Sequence, residues 1–258
     1  MIYFVGAGPG DKELLTIKGD RILSQADCII YAGSLVNTEL LERAKKCCSI
    51  YDSSKLTLEE VLNIMLQHEK NQHIIVRLHT GDPSIYGAIR EQIDRLRKLN
   101  IRYEIIPGVS SFSAAAAVMG MEYTLPGISQ TIILTRMEGR TPVPPKETIS
   151  ELAKIQTSMV IFLSGNRLSE LSAQLLAGGY TEDTPAAIVY KVTWSDELVI
   201  KTTVGQLNNA GKENNITRTA LILVGHFLGD SYDRSQLYHP EFSHGFRTGE
   251  QNGGQNDT

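Results

Sequence analysis

The chain has 258 residues and a formal net charge of −4, from 25 Lys and Arg against 29 Asp and Glu. That length suits one large or two modest α/β domains whose cores need no metal or disulfide to hold them. The acidic balance gives no bulk cationic surface for nucleic acid, no apolar run is long enough to span a bilayer, and the start MIYFVG lacks the basic region of a signal peptide.

The first half alternates short β-branched runs with helical patterns. Strands are predicted at Ile2–Val5, Cys28–Tyr31, Ile74–Leu78 and Tyr103–Ile106, and helices at Glu13–Gln25, Leu58–Glu69, Ile85–Leu99 and Phe112–Met119. This alternation predicts a mostly parallel sheet with helices on both faces. Cys28, Cys47 and Cys48 have neither disulfide-framework nor zinc spacing, so packing roles, a reducing cytoplasm and no metal site are expected. The turn-rich segment beginning at Thr124 predicts a boundary between a domain at 1–123 and one at 124–247. Beyond it, strands are predicted at Gln130–Leu134, Met159–Leu163, Ala186–Tyr190 and Ala220–Val224, with a helix at Asn166–Ala177 that Gly178 and Gly179 stop. The alternating run Leu198–Thr203 fits an antiparallel strand, TPVPPKE at 141–147 fits a loop, and the apolar-poor tail 248–258 fits a disordered end.

Three glycine-bearing loops follow strands of the first half. FVGAGPGD, at 4–11, is superficially a dinucleotide fingerprint. The mechanism behind that fingerprint fails here: Asp11 stands where the third glycine belongs and would repel a pyrophosphate, Pro9 removes an amide, and no acid tips the second strand to grip a ribose. In RLHTGDPSIYG, at 77–87, Gly81 allows close backbone approach, and Asp82 could accept hydrogen bonds from a ligand or simply cap the next helix. In IIPGVSSFSAAAA, at 105–117, Ser110 or Ser111 caps a helix of small residues. All three loops belong to one carboxyl edge of the sheet, where open α/β sheets bind ligands.

Together, GAGPGD, HTGDPSIYG and IIPGVSS resemble the tetrapyrrole methyltransferase superfamily, and the resemblance covers residues 1–247. HTGDPSIYGAIREQ, TRMEGRTPVPPKE, YKVTWSDE and HGFR are similar to the C11-methylating branch of its precorrin enzymes, whether or not the substrate carries cobalt. The resemblance implies two α/β domains, not a Rossmann fold, with S-adenosylmethionine in the cleft between them and a homodimer in the cytoplasm. By motif, it assigns Pro9, Thr80, Gly81, Asp82, Ile85, Ser110, Ser111, Ser164, Val192 and Ala220 to that methyl donor. It implies a carboxylate-rich tetrapyrrole acceptor, for which Arg136, Arg140 and Lys191 are the leading partners, with Arg90 and Arg247 as further candidates. Ser195 departs from the proline usual in its segment. A proton must leave the acceptor, and His79, Asp82, Tyr86 or water could take it. Two rival functions share the same motifs: methylation of RNA or protein, and tetrapyrrole carriage without turnover.

Overall fold

The computed structural model describes residues 1–249; of the tail expected to be disordered, residues 250–258 lie outside the described residues. The first sheet is built from β1 (Ile2–Gly6), β2 (Cys28–Tyr31), β3 (Ser49–Asp52), β4 (Ile75–His79) and β5 (Tyr103–Ile106). Its order is β3-β2-β4-β1-β5 and every pairing is parallel. The central β4 is buried at every position, as expected of a strand covered on both faces. The helices α1 (Ile17–Ser24), α2 (Leu58–Lys70) and α3 (Ile89–Lys98) cover it. Ile22 and Leu23 of α1 join Val5, Ile29, Val76 and Leu78 on one face. On the other, Val61, Met65, Ile93 and Leu96 of α2 and α3 pack on Ile2, Phe4, Ile30 and Ile75. A full capping box between Thr57 and Glu60 fixes the start of α2.

The helix predicted over Glu13–Gln25 is shorter. Asp11 caps a single 3-10 turn at Lys12–Leu14, and Thr16 then caps α1. Likewise the helix predicted from Ile85 begins at Ile89, because 83–86 form a turn ahead of it.

The second sheet is mixed. It contains β6 (Ile132–Arg136), β7 (Ser158–Phe162), β8 (Pro185–Tyr190), β9 (Leu198–Thr203) and β10 (Ala220–Val224), in the order β6-β7-β10-β8-β9. β6 and β7 are parallel; the remaining pairings are antiparallel, including the β8–β9 pair that the alternating sequence predicts. The helices α5 (Ile149–Ala153), α6 (Leu168–Ala177) and α7 (Leu207–Glu213) close one face. The opposite face receives α4 (Ser111–Met119), whose Ala114 and Ala115 pack with Val160, Val189, Leu221 and Phe227. Counted by core, therefore, α4 goes with the second sheet although it precedes the turn at Thr124. Its small side chains make this close approach possible.

Candidate functional site

The loops that follow β1, β4 and β5 meet backbone to backbone. A Cβ on Gly6 would lie 2.6 Å from the Gly108 Cα and from the Gly81 carbonyl oxygen, and one on Gly108 would lie 2.2 Å from that same oxygen. Glycine is required here by contact. The amides of the GAGPGD turn are also engaged: Ala7 N donates to His79 O at 2.7 Å, Gly8 N to Gly81 O at 3.3 Å, and Asp11 N to Thr193 Oγ1 at 2.9 Å. A phosphate would find none of these free. Asp11 instead accepts from Glu13 N at 2.8 Å.

The turn also joins the two sheets' layers. Trp194 Nε1 donates to Pro9 O at 3.0 Å, and the indole lies so close that a Cβ on Gly10 would come within 2.2 Å of its Cδ1.

Beside this junction lies a cavity of about 330 Å³. Thr80, Ser111, Pro9 and Leu35 border it from the first half of the chain; Phe162, Leu163, Val189, Val192, Ala220 and Leu221 supply an apolar wall from the second. Lys191, Trp194 and Arg218 line it as well. Thr80 and Ser111 bring hydroxyls to one side, and Ser111 opens α4. Ser110, the residue before it, makes no side-chain cap, so the first-turn amides of α4 are not capped by a side chain. Such a helix start favours a carboxylate.

The site residues predicted from sequence separate into two groups. Pro9, Thr80, Ser111, Val192, Ala220 and Lys191 come together at this cavity. Gly81, Asp82, Ile85, Ser110, Ser164, Arg136 and Arg140 do not line it. Gly81 takes φ 60° and bridges to Gly8, which shapes the loop behind Thr80. Asp82 is occupied within the protein: Oδ2 accepts from Gly108 N at 2.9 Å, and Oδ1 from Ser84 N at 2.8 Å and from the Ser84 hydroxyl. Burial alone would raise its carboxyl pKa, but the bonds from Ser84 and Gly108 outweigh burial and the net shift is downward.

Ser164 is 1% exposed; it accepts from Met137 N at 3.1 Å and donates to Phe162 O at 2.8 Å. The wall position falls to Leu163, which the sequence reading left inside a strand. β7 stops at Phe162, and Leu163 turns outward with φ 54° and 67% exposure.

Arg136 is spent on backbone, donating to Met137 O at 3.1 Å, Thr141 O at 3.2 Å and Pro142 O at 2.9 Å. It organises the proline-rich loop. Arg140, by contrast, borders a second cavity of about 510 Å³ with Met137, Glu138 and Arg167, which shares Leu163 and Asn166 with the first. Lys191 pairs with Asp196 and sits over the Tyr190 and Trp194 rings. Arg90 pairs with Asp94 along α3, and Arg247 clamps Leu237, His239 and Phe242 carbonyls within the C-terminal segment, so neither lines either cavity.

His79 is 4% exposed and stacks on Phe4 beneath the sheet. Burial, helped by the nearby Arg77 charge, pushes its pKa down to about 3, so it is neutral at physiological pH. This buried ring does not line the cavity. Leu35, Trp194 and Arg218 were missed from sequence; Leu35 and Arg218 lie in none of the quoted motifs, and Trp194 lies in YKVTWSDE, where only Lys191 and Val192 were singled out.

Two α/β halves with a cavity at their junction and no phosphate cradle define a class, and the chain belongs to it: the tetrapyrrole (corrin/porphyrin) methylases, whose family profile matches residues 1–208. The cobalt-precorrin-4 C(11)-methyltransferase of Methanocaldococcus jannaschii is 50% identical over 247 residues, which is 95% of this chain and 95% of that protein. Among solved structures, a cobalt precorrin-4 methyltransferase of cobalamin biosynthesis superposes with a TM-score of 0.87 at 43% identity, covering 89% of this chain and 96% of that one. The Thermus thermophilus uroporphyrin-III C-methyltransferase, solved with S-adenosyl homocysteine, gives 0.75 at 25% identity over 88% of this chain and 98% of its own.

Proposed function

We propose that this chain is an S-adenosylmethionine-dependent C-methyltransferase acting in cobalamin biosynthesis, which methylates cobalt-precorrin-4 or precorrin-4 at C11. The observation that carries this reading is the near full-length identity to an enzyme of that name, joined to a cavity whose chemistry fits the donor. Val192, Ala220 and Leu163 offer apolar surface for an adenine; Thr80, Ser111 and the amino end of α4 offer hydroxyls and a positive dipole for the methionine carboxylate. Gly81 and Asp82 act one layer back, holding the loop that presents Thr80; Ile85 and Ser110 support the same loops. S-adenosylmethionine supplies, when bound, a methyl group activated by its sulfonium.

The residues of the chain then have three tasks: to orient the two partners, to exclude water, and to hold the acceptor's carboxylates. Orientation alone is worth about 7–11 kcal/mol of barrier in well-aligned pairs. The enamine-like carbon of the tetrapyrrole attacks, a C–C bond forms as the C–S bond breaks, and the displaced proton passes to water. Arg140, at the second cavity, is the carboxylate partner in this reading; Lys191 lines the first, and Arg136 serves indirectly by shaping the loop that carries Arg140.

The reading includes a cytoplasmic homodimer. The apolar groove lined by Leu14, Val109, Ala114, Ala117 and Val118 supports a partner surface there; no helix among the described residues is long and apolar enough to cross a membrane. The reading keeps two domains, 1–123 and 124–247, with α4 of the first packing on the core of the second.

The test is transfer of a labelled methyl group to cobalt-precorrin-4 and to metal-free precorrin-4, with the product located by NMR. One methyl added at C11 is the expected result, and the better acceptor decides between the two forms. Donor binding without transfer to either would overturn the C11 assignment.

A further inference from the structure

Residues 83–88 join β4 to α3 by a route that local preference opposes. Gly87 folds back so tightly that a Cβ there would lie 2.1 Å from the Pro83 carbonyl oxygen. Its neighbours, Tyr86 at φ 55° and Ala88 at φ 48°, hold left-handed backbone. In Gln72, Asn100, Gln156 and Asn215 the same conformation ends a helix, where it is commonplace. In Tyr86, a bulky residue ahead of a helix, it is an outlier of the kind that collects at functional sites. α3 begins, moreover, with no side-chain cap.

This costly loop delivers a position. The Tyr86 ring reaches the second half of the chain and lies on Phe162 at the end of β7, with centroids 5.4 Å apart and planes at 59°. The residue stays 46% exposed. Its hydroxyl makes no hydrogen bond among the described residues. Its charged neighbours are Arg136, which shapes the loop bearing Arg140, and Glu147. Phe162 lines the donor cavity. Tyr86 therefore lies against a residue of that cavity's wall, with part of its own surface open to solvent.

We propose that Tyr86 is a positioning residue for the acceptor: its ring, backed by Phe162, is the shelf on which one flat pyrrole ring of the tetrapyrrole rests, and this selects the carbon that faces the donor. The inference deepens the reading of the preceding subsection and rests on it. Burial raises the pKa of the phenol, so it stays neutral near pH 7 and does not serve as the base.

The experiment compares wild type, Tyr86→Phe and Tyr86→Gly in three measurements: melting temperature, S-adenosylhomocysteine affinity, and both binding and methylation of cobalt-precorrin-4. Glycine relieves the left-handed strain but gives up the ring contact with Phe162, so Tyr86→Gly should melt within about 4 °C of wild type and bind S-adenosylhomocysteine within about twofold of it. Its kcat/KM for the acceptor should fall at least tenfold, while Tyr86→Phe keeps most activity because the ring face does the positioning. Full activity in Tyr86→Gly, a parallel loss of S-adenosylhomocysteine affinity, or an equal loss in Tyr86→Phe would each overturn the proposal. If wild type binds the tetrapyrrole but does not methylate it, the C11 reading fails while the ratio of acceptor affinities still decides the role of Tyr86. If wild type binds no tetrapyrrole, both fail.

Discussion

Leu163 and Ser164 are adjacent, yet they answer different questions. Ser164 closes two hydrogen bonds in a dry setting, so Ser164→Ala leaves the Met137 amide without its acceptor and should destabilise the fold by ~1–3 kcal/mol. Affinity for S-adenosylhomocysteine should hardly change. Leu163→Ala should do the reverse, weakening that affinity severalfold with little loss in melting temperature, because its side chain is mostly exposed when the cavity holds no ligand. Calorimetry on the two variants separates the roles.

Asp82 makes a pH-dependent contribution. Its folded-state pKa is lowered, so the stability it adds is complete above the unfolded carboxylate value of about 4 and is lost as pH falls through the folded value. Asp82→Asn should therefore melt lower at pH 7 and lose less on acidification, which thermal scans between about pH 3 and 7 would reveal. Sequence supplied the residue types at these positions. Which of Leu163 and Ser164 faces the cavity depends on a single left-handed φ that no motif announces. In the same way, Arg136 and Arg140 look equivalent on the page and are separated only by how the intervening loop folds back on the first of them.

Among the elements, the glycine-lined seam of β1, β4 and β5 carries the strongest constraint. Gly108→Ala would force its new methyl into the Gly81 carbonyl at 2.2 Å, and backbone cannot retreat there without moving Thr80 and the start of α4. We expect about 3 kcal/mol or more of destabilisation, together with loss of donor binding; Gly120→Ala, which meets nothing within 4 Å but sits at φ 64°, should cost less and leave binding intact. Most strands and the parallel first sheet were legible because both depend on patterns of period two or on continuous apolar runs. β3 was not: SIYD is an edge strand with one strongly apolar residue among polar ones. α7 was hidden because LNNAGKE contains two Asn and a Gly, and tertiary contacts from Leu207 and Ala210 hold it as a helix. α4 was legible as a helix; its allegiance to the second core was not, since alanine can pack against either sheet.

In the whole molecule, the halves are joined by α4, by the Tyr86–Phe162 contact and by the junction of the GPG turn with Thr193 and Trp194. Trp194→Phe keeps an aromatic ring but removes the bond to Pro9, so a loss of ~1 kcal/mol is expected, with a fall in melting temperature of about 2–4 °C. Donor affinity should fall as well, since Trp194 borders the cavity. The acidic total charge gave no hint that two guanidinium groups, those of Arg140 and Arg167, gather at the second cavity. Trp194 is also the only indole in the chain. Its emission is therefore a native, site-specific reporter of the seam, blind to either core. If chemical denaturation followed by this emission precedes the loss of helical circular dichroism, the halves part before they melt and unfolding has at least three states; coincident curves would mean that the seam is as strong as what it joins.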